Sequence, residues 1–232
     1  MRLQGGVSLS KSGLGMSISA MHLGMEMMGI GSENITGSDK VGYQRKEPVV
    51  SSFAQYIGVH ALSTAVDDQV GRIIVSQSPL DVALSEKGYF QLLHNDGTIE
   101  LTRDGRFHLN KEGELLSVKG HKVLSAGGEP IVLPKMPDEL KDVKISKDGS
   151  VAVFDSSTRK MLDAGKIAVV SSEGALVTEP CVEQQCLEYS NVSLQQEFME
   201  LVPVKRNFDA NRQLFMLQNS KLSRAIQELG SA

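Results

Sequence analysis

Both ends of this chain carry an apolar stripe at the spacing of an α-helix, and everything between them carries the punctuation of β-hairpins. From Leu194 onward, steps of four and three residues select Leu194, Phe198, Leu201, Lys205, Phe208, Arg212, Phe215, Asn219, Leu222, Ile226 and Leu229. Near the N-terminus the same steps select Leu14, Ile18, Met21, Met25 and Met28. A stripe of this kind leaves one face of a helix in need of cover. It predicts terminal helices that pair with each other or with those of neighbouring copies. Two amphipathic helices laid on one globular core would satisfy the periodicity equally well.

Composition removes several classes of function. With 232 residues and 41% hydrophobic content the chain can bury one sizeable core or two small ones. A formal net charge of −4, with no long run of Lys or Arg, gives no attraction to phosphate backbones, so nucleic acid is not an expected partner. Aromatic residues make up only 5%, with no Trp, which leaves little surface on which bases or sugars could stack. No run approaches the roughly 18 apolar residues of a membrane span, so direct membrane insertion is not expected. The first thirty residues lack the basic start and apolar run of a cleaved secretory signal. Cys181 and Cys186 have the spacing of neither a redox pair nor a zinc site; plain thiols and a local disulfide both fit.

The N-terminal stripe is threaded with Gly13, Gly15, Gly24 and Gly29, each costing up to about 1 kcal/mol inside a helix relative to Ala. A helix of this composition is marginal by itself, and its methionines offer mouldable apolar surface. After Gly29 the turn-forming residues Gly31, Ser32, Asn34, Gly37, Ser38 and Asp39 predict its end. Pro48 to about Asp68 reads as an extended connector or a partly helical arm. Pro203 falls inside the C-terminal stripe, where it removes a backbone donor, so the long continuous helix is expected to start near it.

From Gly71 to about Pro180 the dipeptides Asp96-Gly97, Asp104-Gly105 and Asp148-Gly149 predict tight strand reversals, with Glu112-Gly113 and Glu173-Gly174 at similar intervals. Apolar residues alternate between them: Leu80, Val82 and Leu84; Ile99 and Leu101; Phe107 and Leu109; Val151 and Val153. The fold class is therefore α+β, with terminal N- and C-helices pairing as a coiled-coil-like helical domain around a central small antiparallel, mainly-β domain. The expected divisions are residues 1–43 for the N-terminal helix and turn, 44–70 for a connector arm, 71–189 for the β domain and 190–232 for the C-terminal helix.

Catalytic patterns are missing. There is no nucleophile elbow, phosphate loop or dinucleotide fingerprint, and the five histidines, His22, His60, His94, His108 and His121, form no helical metal pair. His94, His108 and His121 could converge across hairpins, but surface histidines on β-sheets are far commoner than ligands. No catalytic, cofactor-binding or metal residue is assigned. A free-standing β domain that binds a ligand or acts on carbohydrate is the competing class of function.

Three segments together resemble one family, the axial rod and hook proteins of the bacterial flagellum. The first runs from Ser12-Gly13-Leu14 to Asn34-Ile35 and Gly42-Tyr43. Thr36, Gly37, Lys40 and Gln44 depart there from the family's usual residues. The second runs from Gly71 through Ser78-Pro79-Leu80-Asp81-Val82-Ala83-Leu84 and Gly88-Tyr89-Phe90 to Thr102-Arg103-Asp104-Gly105-Arg106-Phe107. The third holds Ser190-Asn191-Val192-Ser193, then Arg206-Asn207-Phe208-Asp209-Ala210-Asn211, and closes with Leu222 to Leu229. The single small β domain resembles the rod members more than the longer hook members. Within the rod, Pro79 to Leu84 and Ile145 to Asp155 look most like the proximal type, with the distal type next.

The resemblance implies a non-enzymatic building block of the basal body. It also implies export through the flagellar type III apparatus without a cleaved signal, and helical assembly with copies of itself and homologous rod proteins across the periplasm. Leu14, Ile18, Met21, Met25 and Met28, with Leu194, Phe198, Leu201, Phe208, Phe215, Leu222, Ile226 and Leu229, are then the candidate subunit-interface residues. Asn34, Ile35, Gly42, Tyr43, Pro79, Leu80, Asp81, Asn191, Val192 and Asn211 are the family-motif positions.

Overall fold

The computed structural model describes residues 13–50 and 62–230. They form two units. The first holds helix α1 (Gly13–Gly37) through Thr36, strands β1 (Lys46–Val50) and β2 (Leu62–Val66), and helix α2 (Leu194–Gly230). The second holds Gly37–Arg45 and Asp67–Val192.

In the first unit α1 does not stop at Gly29 but continues for two more turns to Gly37. Tertiary contacts override the local turn signal: Gly31 and Asn34 are buried against α2 residues instead of marking a loop. Likewise α2 does not wait for Pro203 but starts at Leu194 and passes through the proline. Ser193 opens it, its carbonyl accepting from Glu197 N at 3.0 Å. Pro203 is exposed, and the missing proline donor removes a single rung of the helical ladder. The described part of the connector is extended: β1 and β2 pair antiparallel from Lys46 opposite Val66 to Val50 opposite Leu62.

The second unit is built from short antiparallel strands. Its main sheet has the order β13 (Val169–Val170), β5 (Tyr89–Leu93), β9 (Lys122–Val123), β8 (Leu115–Ser117), β7 (Phe107–Leu109), with β6 (Ile99–Thr102) also on β5. A three-stranded sheet joins β10 (Val143–Ile145), β11 (Ser150–Asp155) and β12 (Lys160–Lys166). Two ribbons pair β4 (Val82–Leu84) with β14 (Val182–Gln184), and β3 (Ile73–Val75) with β15 (Cys186–Glu188). The core between them holds Leu80, Val82, Leu84, Phe90, Leu92, Phe107, Leu115, Val123, Ile131, Val151, Val153 and Ile167. Phe90 meets Phe107 edge-on, with ring centroids 5.3 Å apart. Cys181 and Cys186 are free thiols, and burial pushes the Cys186 thiol up.

Most of the predicted reversals are hairpin turns, with Gly97, Gly113, Gly149 and Gly174 all at positive φ. Asp104-Gly105 is not one of them. β6 pairs with β5 and β7 with β8, so this dipeptide lies in a crossover between strands that do not pair. Gly105 is required there for closeness: its carbonyl accepts from Val82 N at 2.9 Å, and a Cβ would lie 1.8 Å from the Val82 carbonyl oxygen. Ile99 and Leu101 alternate as expected yet face outward, exposed.

Candidate functional site

The candidate site is the helix pair of the first unit. Their contact runs through the glycines of α1. A Cβ on Gly13 would meet the Gln218 side chain at 2.7 Å, one on Gly24 would meet Phe208 at 3.5 Å, and one on Gly31 would meet Leu201 at 2.7 Å. Numbers rise along α1 as they fall along α2, so the helices run antiparallel and the start of α1 lies toward the end of α2. The face that α1 turns inward is small: Ser17, Gly24, Gly31 and Asn34 are buried. The residues of α2 that are not exposed are Glu197, Leu201, Val204, Phe208, Asn211, Phe215 and Gln218, alternate steps of four and three throughout. Large side chains on one helix sit over missing ones on the other, which lets the backbones approach closely.

The two stripes divide between the helix pair and the surface. Of the C-terminal stripe, Leu201, Phe208 and Phe215 face α1, whereas Leu194, Phe198, Leu222, Ile226 and Leu229 are exposed. Lys205, Arg212 and Asn219 are exposed too. Of the N-terminal stripe, Leu14, Met21 and Met28 are half-buried, and Ile18 and Met25 are exposed, Met25 at 60%. Leu14, Ile18 and Met25 lie roughly 100° round the helix from the glycine face, one residue beyond Gly13, Ser17 and Gly24, whereas Met21 and Met28 lie nearer to it. Gly13 and Gly24, a cost to the helix in isolation, form its packing face together with Gly31, while Gly29 stands exposed.

At the foot of the pair, a buried amide fastens the strand that follows α1. Asn34 is 1% exposed; its Nδ2 donates to the Lys46 carbonyl at 2.8 Å and its Oδ1 accepts from Lys46 N at 2.9 Å, the two bonds a neighbouring strand would make. The same Nδ2 donates to Glu197 Oε2 at 3.1 Å, joining α1 to α2. Lys46 Nζ reaches Glu33 at 2.7 Å on the surface. Ile35 is half-buried beside this clasp, and Asn211, farther along α2, turns its Nδ2 back to the Asn207 carbonyl at 2.8 Å.

A second clasp lies within the β unit. Asn191 Oδ1 accepts from Arg45 N at 2.7 Å, while its Nδ2 donates to the carbonyls of Asp67 and Gln69 at 3.1 Å each. Nearby, the buried pair Arg103 Nε and Glu188 Oε2 meet at 2.7 Å. Arg103 Nη2 also donates to the carbonyls of Leu84 and Glu86, and Glu188 Oε1 accepts from Gly71 N at 2.8 Å. Gly42, at φ +68, brings its N–H to the Glu188 carbonyl at 2.8 Å, and Tyr43 packs its ring over Gly37. Leu80 is core, the Pro79 carbonyl accepts from Gln184 Nε2 at 2.7 Å, and Asp81 accepts from the Ser76 hydroxyl. Val192 is half-buried, its N–H donating to Ser190 Oγ at 3.1 Å. These motif positions are joints of the scaffold.

Sequence relationships agree with that picture. The profile described as flagellar hook protein FlgE/F/G D1 domain matches residues 83–153. The flagellar basal-body rod protein FlgF of Mesorhizobium japonicum is 30% identical over 221 residues, covering 86% of this chain and 90% of its own. FlgF of Rhizobium meliloti is likewise 30% identical, over 87% of this chain and 90% of its own. FlgG of Bacillus subtilis is 27% identical over 71% and 68%. The chain belongs to the family of flagellar basal-body rod proteins, of the FlgF/FlgG type, and is a structural component of the basal body.

Proposed function

We propose that this rod subunit polymerises through its terminal helices, with copies of itself and with homologous rod proteins, into the shaft that carries torque across the periplasm to the hook. The proposal places it in the proximal rod, delivered by the flagellar type III apparatus without a cleaved signal, and gives it no catalytic role. A helical core from residues 1–43 and 190–232, an arm over 44–70 and a β domain over 71–189 go with this reading.

One observation carries it. After the glycine face has been used inside the α1–α2 pair, apolar side chains remain on both helices: Ile18 and Met25 on α1, and Phe198, Val202, Leu222 and Ile226 on α2. Scattered exposed apolar residues are ordinary on a monomer, but rows of them on two adjoining helices mark a surface that meets another protein. Burial at about 25 cal/mol per Å² would reward contact with neighbours, and the same surface presented by every copy gives an open helical array. The test is complementation of a strain lacking the protein with Leu222→Asp/Ile226→Asp. Loss of swimming and of rods in electron micrographs, with the purified variant folded as wild type, is the expected result. Normal swimming would remove α2 from the interface.

A further inference from the structure

Three ligand-type side chains that the sequence leaves scattered come together on the β unit. His94 follows β5, Glu100 lies in β6 and His121 precedes β9, and one donor atom from each lies within 4.8 Å of the others. Among the described residues no other set of histidine, cysteine and carboxylate groups converges in this way. His108, the third histidine of the sheet, pairs with Leu116 in a different ladder and stands exposed.

Strand register places the three groups. Leu93 is opposite Lys122, which sets His94 across from His121; Leu92 is opposite Glu100, which sets the carboxylate two residues inward from His94 on the adjoining strand. Backbone bonds fix both histidines: His94 N donates to the Thr98 carbonyl at 2.9 Å, and His121 N donates to Ser117 Oγ at 3.2 Å. The two imidazoles stack, centroids 3.8 Å apart and planes at 17°. His94 Nε2 is 2.8 Å from Glu100 Oε2, and Glu100 Oε1 accepts from Lys119 Nζ at 3.3 Å. Burial works against the charged carboxylate, but the hydrogen bonds from His94 and Lys119 hold the Glu100 carboxyl below its usual range.

We infer that His94, Glu100 and His121 form a binding site for a divalent zinc ion. Two imidazole nitrogens and one carboxylate oxygen are the donor set of zinc, whereas magnesium and calcium take oxygen alone. Tetrahedral bonds of about 2.0–2.1 Å put donors about 3.4 Å apart, so side-chain rotations that unstack the two imidazoles and open the 2.8 Å His94–Glu100 contact complete the site. The ion takes the place of the His94–Glu100 hydrogen bond, and Lys119 stays on the second carboxylate oxygen as an orienting partner. Three protein ligands leave a fourth position for water or for a donor from another molecule. Bound there, the ion ties β6 and β9 to β5 across the end of the main sheet.

Calorimetric titration of the metal-stripped full chain with Zn²⁺ alone tests this. Wild type should take up zinc with a melting temperature that rises on loading. His94→Gln and His121→Gln should each lose roughly tenfold or more in affinity, and His108→Gln should match wild type. Mg²⁺ at the same concentrations should give no heat. If either ligand variant fails to fold, Glu100→Gln is read in its place, together with the visible absorption of Co²⁺, which should be present in wild type and weakened in the variant. Zinc uptake that is unchanged in the ligand variants, or its absence from wild type, overturns the site.

Discussion

Asn34 and Asn191 do the same physical work in different places. Each lends a side-chain amide to backbone beyond its own element, Asn34 to Lys46 at the start of β1 and Asn191 to Arg45, Asp67 and Gln69. Truncation of Asn34 to Ala removes three hydrogen bonds from a buried position and should cost about 1–3 kcal/mol, read as a lower denaturant midpoint. Gly105→Ala should cost about as much or more, because its Cβ meets the Val82 carbonyl, a backbone atom that cannot rotate away. A third residue sets acid sensitivity. Asp155 accepts from Lys135 Nζ, from Ser157 Oγ at 2.5 Å and from Thr158 Oγ1 at 2.7 Å, which hold its carboxyl well below the ordinary 3.8. A carboxylate depressed by folding stabilises the native state above its unfolded value and loses that contribution as the pH falls through the folded one. The urea midpoint of wild type should therefore drop more than that of Asp155→Asn between about pH 5 and about pH 2.

Between elements, the two helices divide their side chains into those spent inside the pair and those left outside. Phe208 lies over Gly24 inside the pair, so Phe208→Asp should weaken α1–α2 pairing by roughly 3 kcal/mol or more, seen as lost helical signal in the isolated protein. Leu222→Asp replaces an exposed side chain and should shift monomer stability by no more than about 0.5 kcal/mol while blocking assembly. Periodicity in the sequence reveals that both ends are helical and that both need cover. It does not reveal which stripe faces which partner, because an inward face made of Gly13, Ser17, Gly24 and Gly31 has no hydrophobic signature and reads as helix-breaking. The clue available was spacing, since those four residues recur at steps of four and seven along one face. Asn34 and Gly31 illustrate the same blindness at the end of α1, where turn chemistry pointed to a stop and buried contacts carried the helix on. The β unit was more legible, because Asp96-Gly97 and Asp148-Gly149 are local devices that specify their turns within a few residues. Asp104-Gly105 has the same letters but serves a long-range approach to Val82, which no local rule encodes. Convergence of His94 with His121 depends on strand register, and was likewise open from sequence.

For the molecule as a whole, two units imply two separable stabilities. Phe208→Asp should lower the helical transition and leave the melting of the β unit in place, with its near-ultraviolet signal as the monitor. In the assembly proposed above, the apolar rows of the helical unit are the surfaces kept for its neighbours. The far end of α2 adds a consequence of its own. From Gln218, where α1 begins, α2 runs on for twelve residues to Gly230, about 18 Å at 1.5 Å per residue, with Ile226 69% and Leu229 81% exposed. The opposite end of the pair is closed by the Asn34, Lys46 and Glu197 clasp, polar and already satisfied. The two ends of the unit therefore differ: one is a single overhanging helix, the other a polar joint between α1, β1 and α2. In the assembly proposed above, a stack of such pieces would have a direction, because its two tips differ chemically.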